Sequence, residues 1–157
     1  DIGARYLGWM EDPEVTRFLE VRFAGVKSVS ELRDFVESVN ESPANVLFGI
    51  FEKHSGTHIG NIKIGPIIRE HARADIGYVI GERGSWGKGY ASEAIKRVAK
   101  YAMEDLGLVK IKAGCYENNI GSAKALAKAG FAHEATVPSD CISDGRRVAS
   151  LLFAMNK

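Results

Sequence analysis

Ala74-Asp75-Ile76-Gly77-Tyr78-Val79-Ile80-Gly81-Glu82-Arg83-Gly84-Ser85-Trp86-Gly87-Lys88-Gly89-Tyr90-Ala91-Ser92-Glu93-Ala94 is the stretch that decides the fold. Ala74 to Ile80 reads as a strand. Three glycines then fall within six positions, at Gly84, Gly87 and Gly89. From Ala91 the apolar period becomes 3.6, with Ala91, Ala94, Ile95, Val98, Ala102 and Leu106 on one stripe and Lys96, Arg97, Lys100 and Glu104 off it. Gly107 is the expected stop. Val109 to Cys115 reads as the next strand. A strand, loop, helix and strand in this order require a right-handed crossover and a locally parallel strand pair.

Upstream, Val46 to Phe51 and the alternating His58 to Ile68 flank a turn at residues 53–57. With short connections, these strands and Ala74 to Ile80 predict an antiparallel meander. Before them, Asp12-Pro13-Glu14 signals a helix start, with Val15, Phe18 and Leu19 on one face. A second helix is expected after Ser30 as N-cap, carrying Leu32, Phe35, Val36 and Val39. Downstream, Ser122 to Ala129 reads as a short helix ended by Gly130. Phe131 to Val137 and Arg147 to Met155 predict a closing hairpin across a polar loop at residues 139–146.

The 157 residues suit one domain, since domains commonly hold roughly 100–150. The composition, 45% hydrophobic and 26% charged, is globular. A net charge of +1 offers no field for nucleic acid, so that partner is not expected. No apolar run is long enough to span a bilayer, and no membrane partner is expected. Cys115 and Cys141 have no metal-ligand spacing. We read them as free thiols in a reducing, cytoplasmic setting, and expect no metal. The chain begins at Asp1 with no initiator Met, so a longer parent protein is an expectation.

Gly84 to Ala91 carries the chemistry. Glycines allow a tight turn with uncovered N–H groups, and the following helix adds free donors and the positive end of its dipole. Such a loop suits phosphate oxygens, with Lys88 adding charge at the rim. The Walker pattern fails, because Glu82 and Gly89 stand where Gly and Ser or Thr are required. The glycine order is the reverse of the dinucleotide-binding pattern. A purely structural turn remains the alternative.

Ile76-Gly77-Tyr78-Val79-Ile80-Gly81 with Trp86-Gly87-Lys88-Gly89-Tyr90-Ala91-Ser92-Glu93-Ala94 resembles the central motif of GNAT acetyltransferases, in their ribosomal-protein-acetylating (RimJ/RimL-like) branch. Asn119-Ile120-Gly121-Ser122 followed by Leu126-Ala127-Lys128-Ala129-Gly130-Phe131 is similar to that branch's second motif. The resemblance implies one α/β (α+β) domain over residues 1–157. Its sheet would be mixed, mostly antiparallel, flanked by helices and splayed between two central parallel strands. It also implies acetyl-CoA as co-substrate, its pantetheine arm pairing with backbone around Tyr78, Val79 and Ile80. The pyrophosphate would rest on Gly84, Ser85, Trp86, Gly87, Lys88, Gly89, Tyr90 and Ala91, and Asn119 and Ser122 would meet the pantetheine end. The family begins with a strand, whereas Asp1 to Trp9 already reads as helix. Either that strand is missing from the chain or the start aligns differently with the family, and an exposed sheet edge would leave a homodimer open.

Two departures stand out. Gly84 occupies a place where the family commonly has Arg or Gln. The helix at Ser122 to Ala129 has no tyrosine, which in many members protonates the leaving thiolate. Ser122 is therefore the expected proton donor, and Asp75 the expected acceptor of the amine proton, directly or through water. The N–H of Val79 or Ile80 is the expected oxyanion donor. His58, His71 and Cys115 are weaker candidates. The acceptor is expected to be a small amine such as an amino sugar, approaching past Trp9, Phe18, Leu19, Glu20, Arg22 and Phe23. A peptide N-terminus is the alternative acceptor, and a non-catalytic acyl-CoA-binding module the rival function.

Overall fold

The computed structural model describes residues 2–157. Helices α1 (Ala4–Glu11), α2 (Pro13–Thr16), α3 (Val21–Ala24) and α4 (Val29–Glu41) precede strands β1 (Val46–Phe51), β2 (His58–Ile68) and β3 (Arg73–Ile80). Then follow α5 (Tyr90–Glu104), β4 (Lys110–Tyr116), α6 (Ile120–Ala129), β5 (Ala132–Ser143) and β6 (Arg146–Asn156). The six strands form one sheet in the order β1-β2-β3-β4-β6-β5. Every neighbouring pair is antiparallel except β3 and β4. That parallel pair is joined only at Arg73–Lys110, Ala74–Ile111 and Asp75–Lys112. Past Asp75 the two strands separate, β3 staying with β2 and β4 with β6, which is the expected splay.

Each face of the sheet is covered by its own apolar set. On one, Ile62, Ile64, Ala74, Ile76 and Ile111 meet Ile95, Val98, Ala99 and Ala102 of α5 and Leu126 of α6. Burying such aliphatic side chains contributes roughly 1.5–3 kcal/mol each. On the other, Tyr6, Trp9, Val15 and Leu32 pack together, with Val79 against them. Gly81 fits there because it has no side chain: a Cβ on it would lie 2.0 Å from the Trp9 ring.

Several expectations shift. The first helix starts at Ala4, and Asp1 lies outside the described residues. The second helical start yields one turn, so Phe18 and Leu19 fall beyond α2. The cap of α4 is Ser28, not Ser30: Ser28 Oγ accepts from Glu31 N at 3.2 Å, while the Glu31 carboxylate accepts from Lys27 N. Asn119 caps α6, which begins two residues before Ser122. The expected polar loop is mostly strand, and only Asp144 and Gly145 turn, both at positive φ. Those polar residues remain paired because β5 is an edge strand with one side to water. No metal-binding group of His, Cys, Asp or Glu occurs among the described residues. No described helix is long and apolar enough to cross a membrane.

Candidate active site

A cleft of about 520 Å³ opens where β3 and β4 part. Its lining runs from Ser85, Trp86, Gly87, Gly89, Tyr90, Ala91 and Ser92 along Tyr78, Val79 and Ile80. Asn119, Gly121, Ser122, Lys124, Ala125 and Lys128 form one wall, and residues 14, 15 and 17–19 close the far end.

The glycine loop is shaped by its own backbone. Ser85 N donates to Glu82 O and Trp86 N to Arg83 O, so those two amides are occupied. Gly87 and Gly89 take φ of 74° and 87°, where a side chain would be strained. Among the described residues the amides of residues 87–92 find no acceptor, and no side chain caps α5 at Gly89. This row of donors at a helix start is a fitted seat for an anion. Trp86 flanks it, its indole N–H donating to Ile80 O at 2.7 Å. Gly84 and Lys88 stand outside the lining. Tyr90 ties the seat to the β1–β2 turn, donating to Glu52 Oε1 at 2.7 Å. Ser55 and Tyr90 together hold the Glu52 carboxyl below its ordinary range.

A cation from α6 reaches this row of amides. Lys128 Nζ stands 3.6 Å from where a Cβ on Gly89 would be. Lys124 lines the same wall, and among the described residues neither lysine is paired with a carboxylate. Sequence reasoning missed both. Their spacing of four, with Lys124 two residues after Ser122, was the available signal.

Along the open edge, alternation decides which groups are free. Gly81 N donates to Ile59 O, so Gly81 and Val79 face β2. Ala72 O accepts from Val109 N, so the even-numbered residues face β4. Beyond Asp75 the main-chain groups of Tyr78 and Ile80 therefore point into the splay. Of the two expected oxyanion donors, Ile80 N–H faces the splay and Val79 N–H faces β2. Ile80 O is engaged by Trp86.

At the narrow end of the splay, Tyr78 OH lies 2.5 Å from Ser122 Oγ. Burial pushes the Tyr78 phenol up to about 12, and also raises the Cys115 thiol beside it. Asn119 Oδ1 accepts from Ser122 N at 3.2 Å, which leaves the Ser122 hydroxyl free of capping duty. Asp75 sits apart from these groups. It is the last paired rung, 3.6 Å from Lys112 Nζ, and does not line the cleft. Three residues of strand place it about 10 Å back from Tyr78.

Of the residues expected on the acceptor side, Phe18 and Leu19 line the cleft. Trp9 is core, 5% exposed. Glu20 and Arg22 are bound to the Tyr116 hydroxyl, and Phe23 is exposed. His58 is buried between Trp9 and Phe51, and His71 lies in an exposed turn. Glu14 and Arg17 line the cleft beside Phe18 and Leu19, and Arg17 is held by Asp144 at 2.6 Å.

Comparison with known proteins agrees with this geometry. Residues 1–132 match the family described as Acetyltransferase (GNAT) domain. An uncharacterised N-acetyltransferase, p20 of Bacillus licheniformis, is 33% identical over 153 residues, covering 95% of this chain and 84% of its own. The uncharacterised N-acetyltransferase YoaA of Bacillus subtilis is 33% identical over 147 residues, covering 92% and 81%. A GNAT-family acetyltransferase of Bacillus anthracis superposes with a TM-score of 0.78 at 25% identity, covering 96% and 86%. The spermidine N-acetyltransferase of Vibrio cholerae in complex with CoA and spermine superposes with a TM-score of 0.83, covering 96% and 87%. At 19% identity, that likeness concerns the fold alone.

Proposed function

From the premise that this chain belongs to the GNAT acetyltransferase family and is an acetyl-CoA-dependent N-acetyltransferase, we propose that it acetylates the primary amine of a small molecule such as an amino sugar, by direct transfer. The observation that carries the reading is the row of acceptor-free amides at residues 87–92, continuous through one cleft with the open edge at Tyr78 and Ile80.

Acetyl-CoA supplies the thioester. The amides of residues 87–92 and Lys128 would hold its pyrophosphate, and the free main-chain groups of Tyr78 its pantetheine arm, Ile80 O being engaged by Trp86. Ile80 N–H is aimed for a developing oxyanion, and Ser122 Oγ–H for the departing sulfur. Holding both reactants in one cleft lowers the entropic barrier to their meeting. Among the described residues Glu14 is the one carboxylate that lines the cleft, and it would meet an incoming ammonium group. A base role for Asp75 runs through water.

The acceptor end favours a monoamine. It offers one carboxylate, Glu14, beside Arg17, with Phe18 and Leu19 as apolar surface. A polyamine would want several carboxylates along its length. Thiol release with three acceptors tests this: an amino sugar, a short peptide with a free N-terminus, and spermidine. Fastest turnover with the amino sugar supports the proposal. Turnover confined to the peptide moves the chain to the ribosomal-protein type. CoA binding without turnover of any amine makes it an acyl-CoA-binding module.

A further inference from the structure

The short helix of the second motif has no tyrosine, yet a tyrosine hydroxyl reaches its N-terminal turn from the opposite wall of the splay. Tyr78 OH stands 2.5 Å from Ser122 Oγ, and 3.4 Å from Ser122 O. Both side chains line the cleft, and Asn119 fixes the backbone of Ser122. We infer that the Tyr78 hydroxyl is a positioning group that donates to Ser122 Oγ and so keeps the Ser122 proton directed at the sulfur of the bound thioester. The inference rests on the acetyl-transfer reading above and gives that site its missing tyrosine from β3.

The direction of this bond follows from chemistry. A serine hydroxyl has one hydrogen and two acceptor lone pairs, and its rotor settles where a neighbour places it. At 2.5 Å either hydroxyl fits as donor, and we assign that part to the phenol because it is the more acidic of the two and Ser122 Oγ lies nearer to it than Ser122 O. Ser122 Oγ then keeps its own hydrogen for a third group. Among the described residues Cys115 is the other side chain hydrogen-bonded to Ser122, and a thiol is a weak acceptor. The remaining direction is the cleft. Burial keeps the phenol protonated throughout neutral pH, so the donor does not switch off.

The step balances without an outside reagent. The C–N bond forms between the amine nitrogen and the thioester carbon, and the C–S bond breaks with its electron pair going to sulfur. Nitrogen sheds one proton to water in the cleft, and sulfur takes one from Ser122 Oγ, which recovers a proton from the same water, so that Ser122 ends as it began. Tyr78 loses none. It acts through Ser122 by orienting the hydrogen bond that stabilises negative charge on sulfur.

The test is a double-mutant cycle on Tyr78→Phe and Ser122→Ala in the full chain, read as kcat and KM, with CoA affinity by calorimetry and Tm for each variant. Tyr78→Phe is expected to lower kcat about 10–100-fold, in the range of an oriented donor, with CoA affinity within about twofold. The double variant is expected to be no slower than Ser122→Ala alone, because the tyrosine has nothing left to orient. Wild-type kcat in Tyr78→Phe beside a slow Ser122→Ala overturns the inference while the reading of the site stands. Effects that multiply, or a parallel loss of CoA affinity, reduce Tyr78 to a packing residue and also overturn it. Wild-type kcat in Ser122→Ala removes both residues from the mechanism. A wild-type chain that releases no thiol removes the acetyl-transfer reading itself.

Discussion

Lys128 Nζ, on the last turn of α6, stands 3.6 Å from the place a Gly89 side chain would occupy, bringing a cation from one motif to the anion seat of the other. The loop itself supplies dipoles but no charge, since Lys88 is outside the cleft and Arg83 lies 3.7 Å from Asp12. Lys128→Ala is expected to weaken CoA binding about tenfold, the scale of one charge-assisted hydrogen bond. Acetyl-pantetheine, which has no phosphate on the seat, should bind both forms alike. Calorimetry with the two ligands measures the difference. Equal CoA affinity in wild type and variant removes Lys128 from the seat.

Two carboxylates divide by position. Glu14 lines the cleft, whereas Asp75 is held beside Lys112 and is outside the lining. Glu14→Gln is expected to raise the acceptor KM several-fold with acetyl-CoA KM unchanged. Asp75→Asn is expected to stay within about twofold in kcat, because the carboxylate is held beside Lys112 outside the cleft. Initial rates at varied acceptor settle the pair. A collapse of kcat in Asp75→Asn, with its pH profile altered, makes Asp75 the base.

The packing of Trp9 against Gly81 leaves no space for a methyl group. A Cβ at Gly81 meets the ring at 2.0 Å, and Trp9 is pinned by Tyr6 and His58. Gly81→Ala is expected to cost about 1–3 kcal/mol, the usual range for overpacking, and to displace β3 at its cleft end. Urea unfolding reads this as a lower midpoint. An unchanged midpoint shows that the helical layer slides freely on the sheet.

His58 gives the fold a dependence on pH. It is 5% exposed, between Trp9 and Phe51, with Nε2 2.9 Å from Asn61 Oδ1. Burial is the main cause that lowers its pKa below the ordinary 6.5. The unfolded chain therefore binds the proton more readily than the folded one. The neutral imidazole contributes stability that is complete above about pH 6.5 and is lost as pH falls through the folded value. Tm is expected to drop between pH 7.5 and 5.5, and His58→Gln to flatten that slope. Equal slopes in both proteins exclude His58 as the source.

Much of this was legible in the residues. The change of period at Gly84 to Gly89 marks the crossover, and the Ala91 to Leu106 stripe marks the face of α5 that is buried. Failures came where short-range signals competed. Ser28 with Glu31 makes a capping box that Ser30 with Arg33 does not, and the Asp144-Gly145 turn was obscured by polar neighbours that an edge strand tolerates. In the site, the glycine loop and Ser122 could be read because their chemistry is local. Lys128 beside Gly89 and Tyr78 beside Ser122 depend on how α6 lies across the splay, a tertiary relation that no window of sequence contains. Trp9 resembled an acceptor-side aromatic and is instead the residue that Gly81 makes room for.

The account depends on the amides of residues 87–92 being the phosphate seat, and amide NMR during a CoA titration examines them one by one. The prediction is that these six N–H resonances, followed by those of Tyr78 and Ile80, shift most and become protected from exchange, while Ser85 and Trp86, already bonded within the loop, shift less. Binding of CoA that leaves the signals of residues 87–92 in place would contradict it.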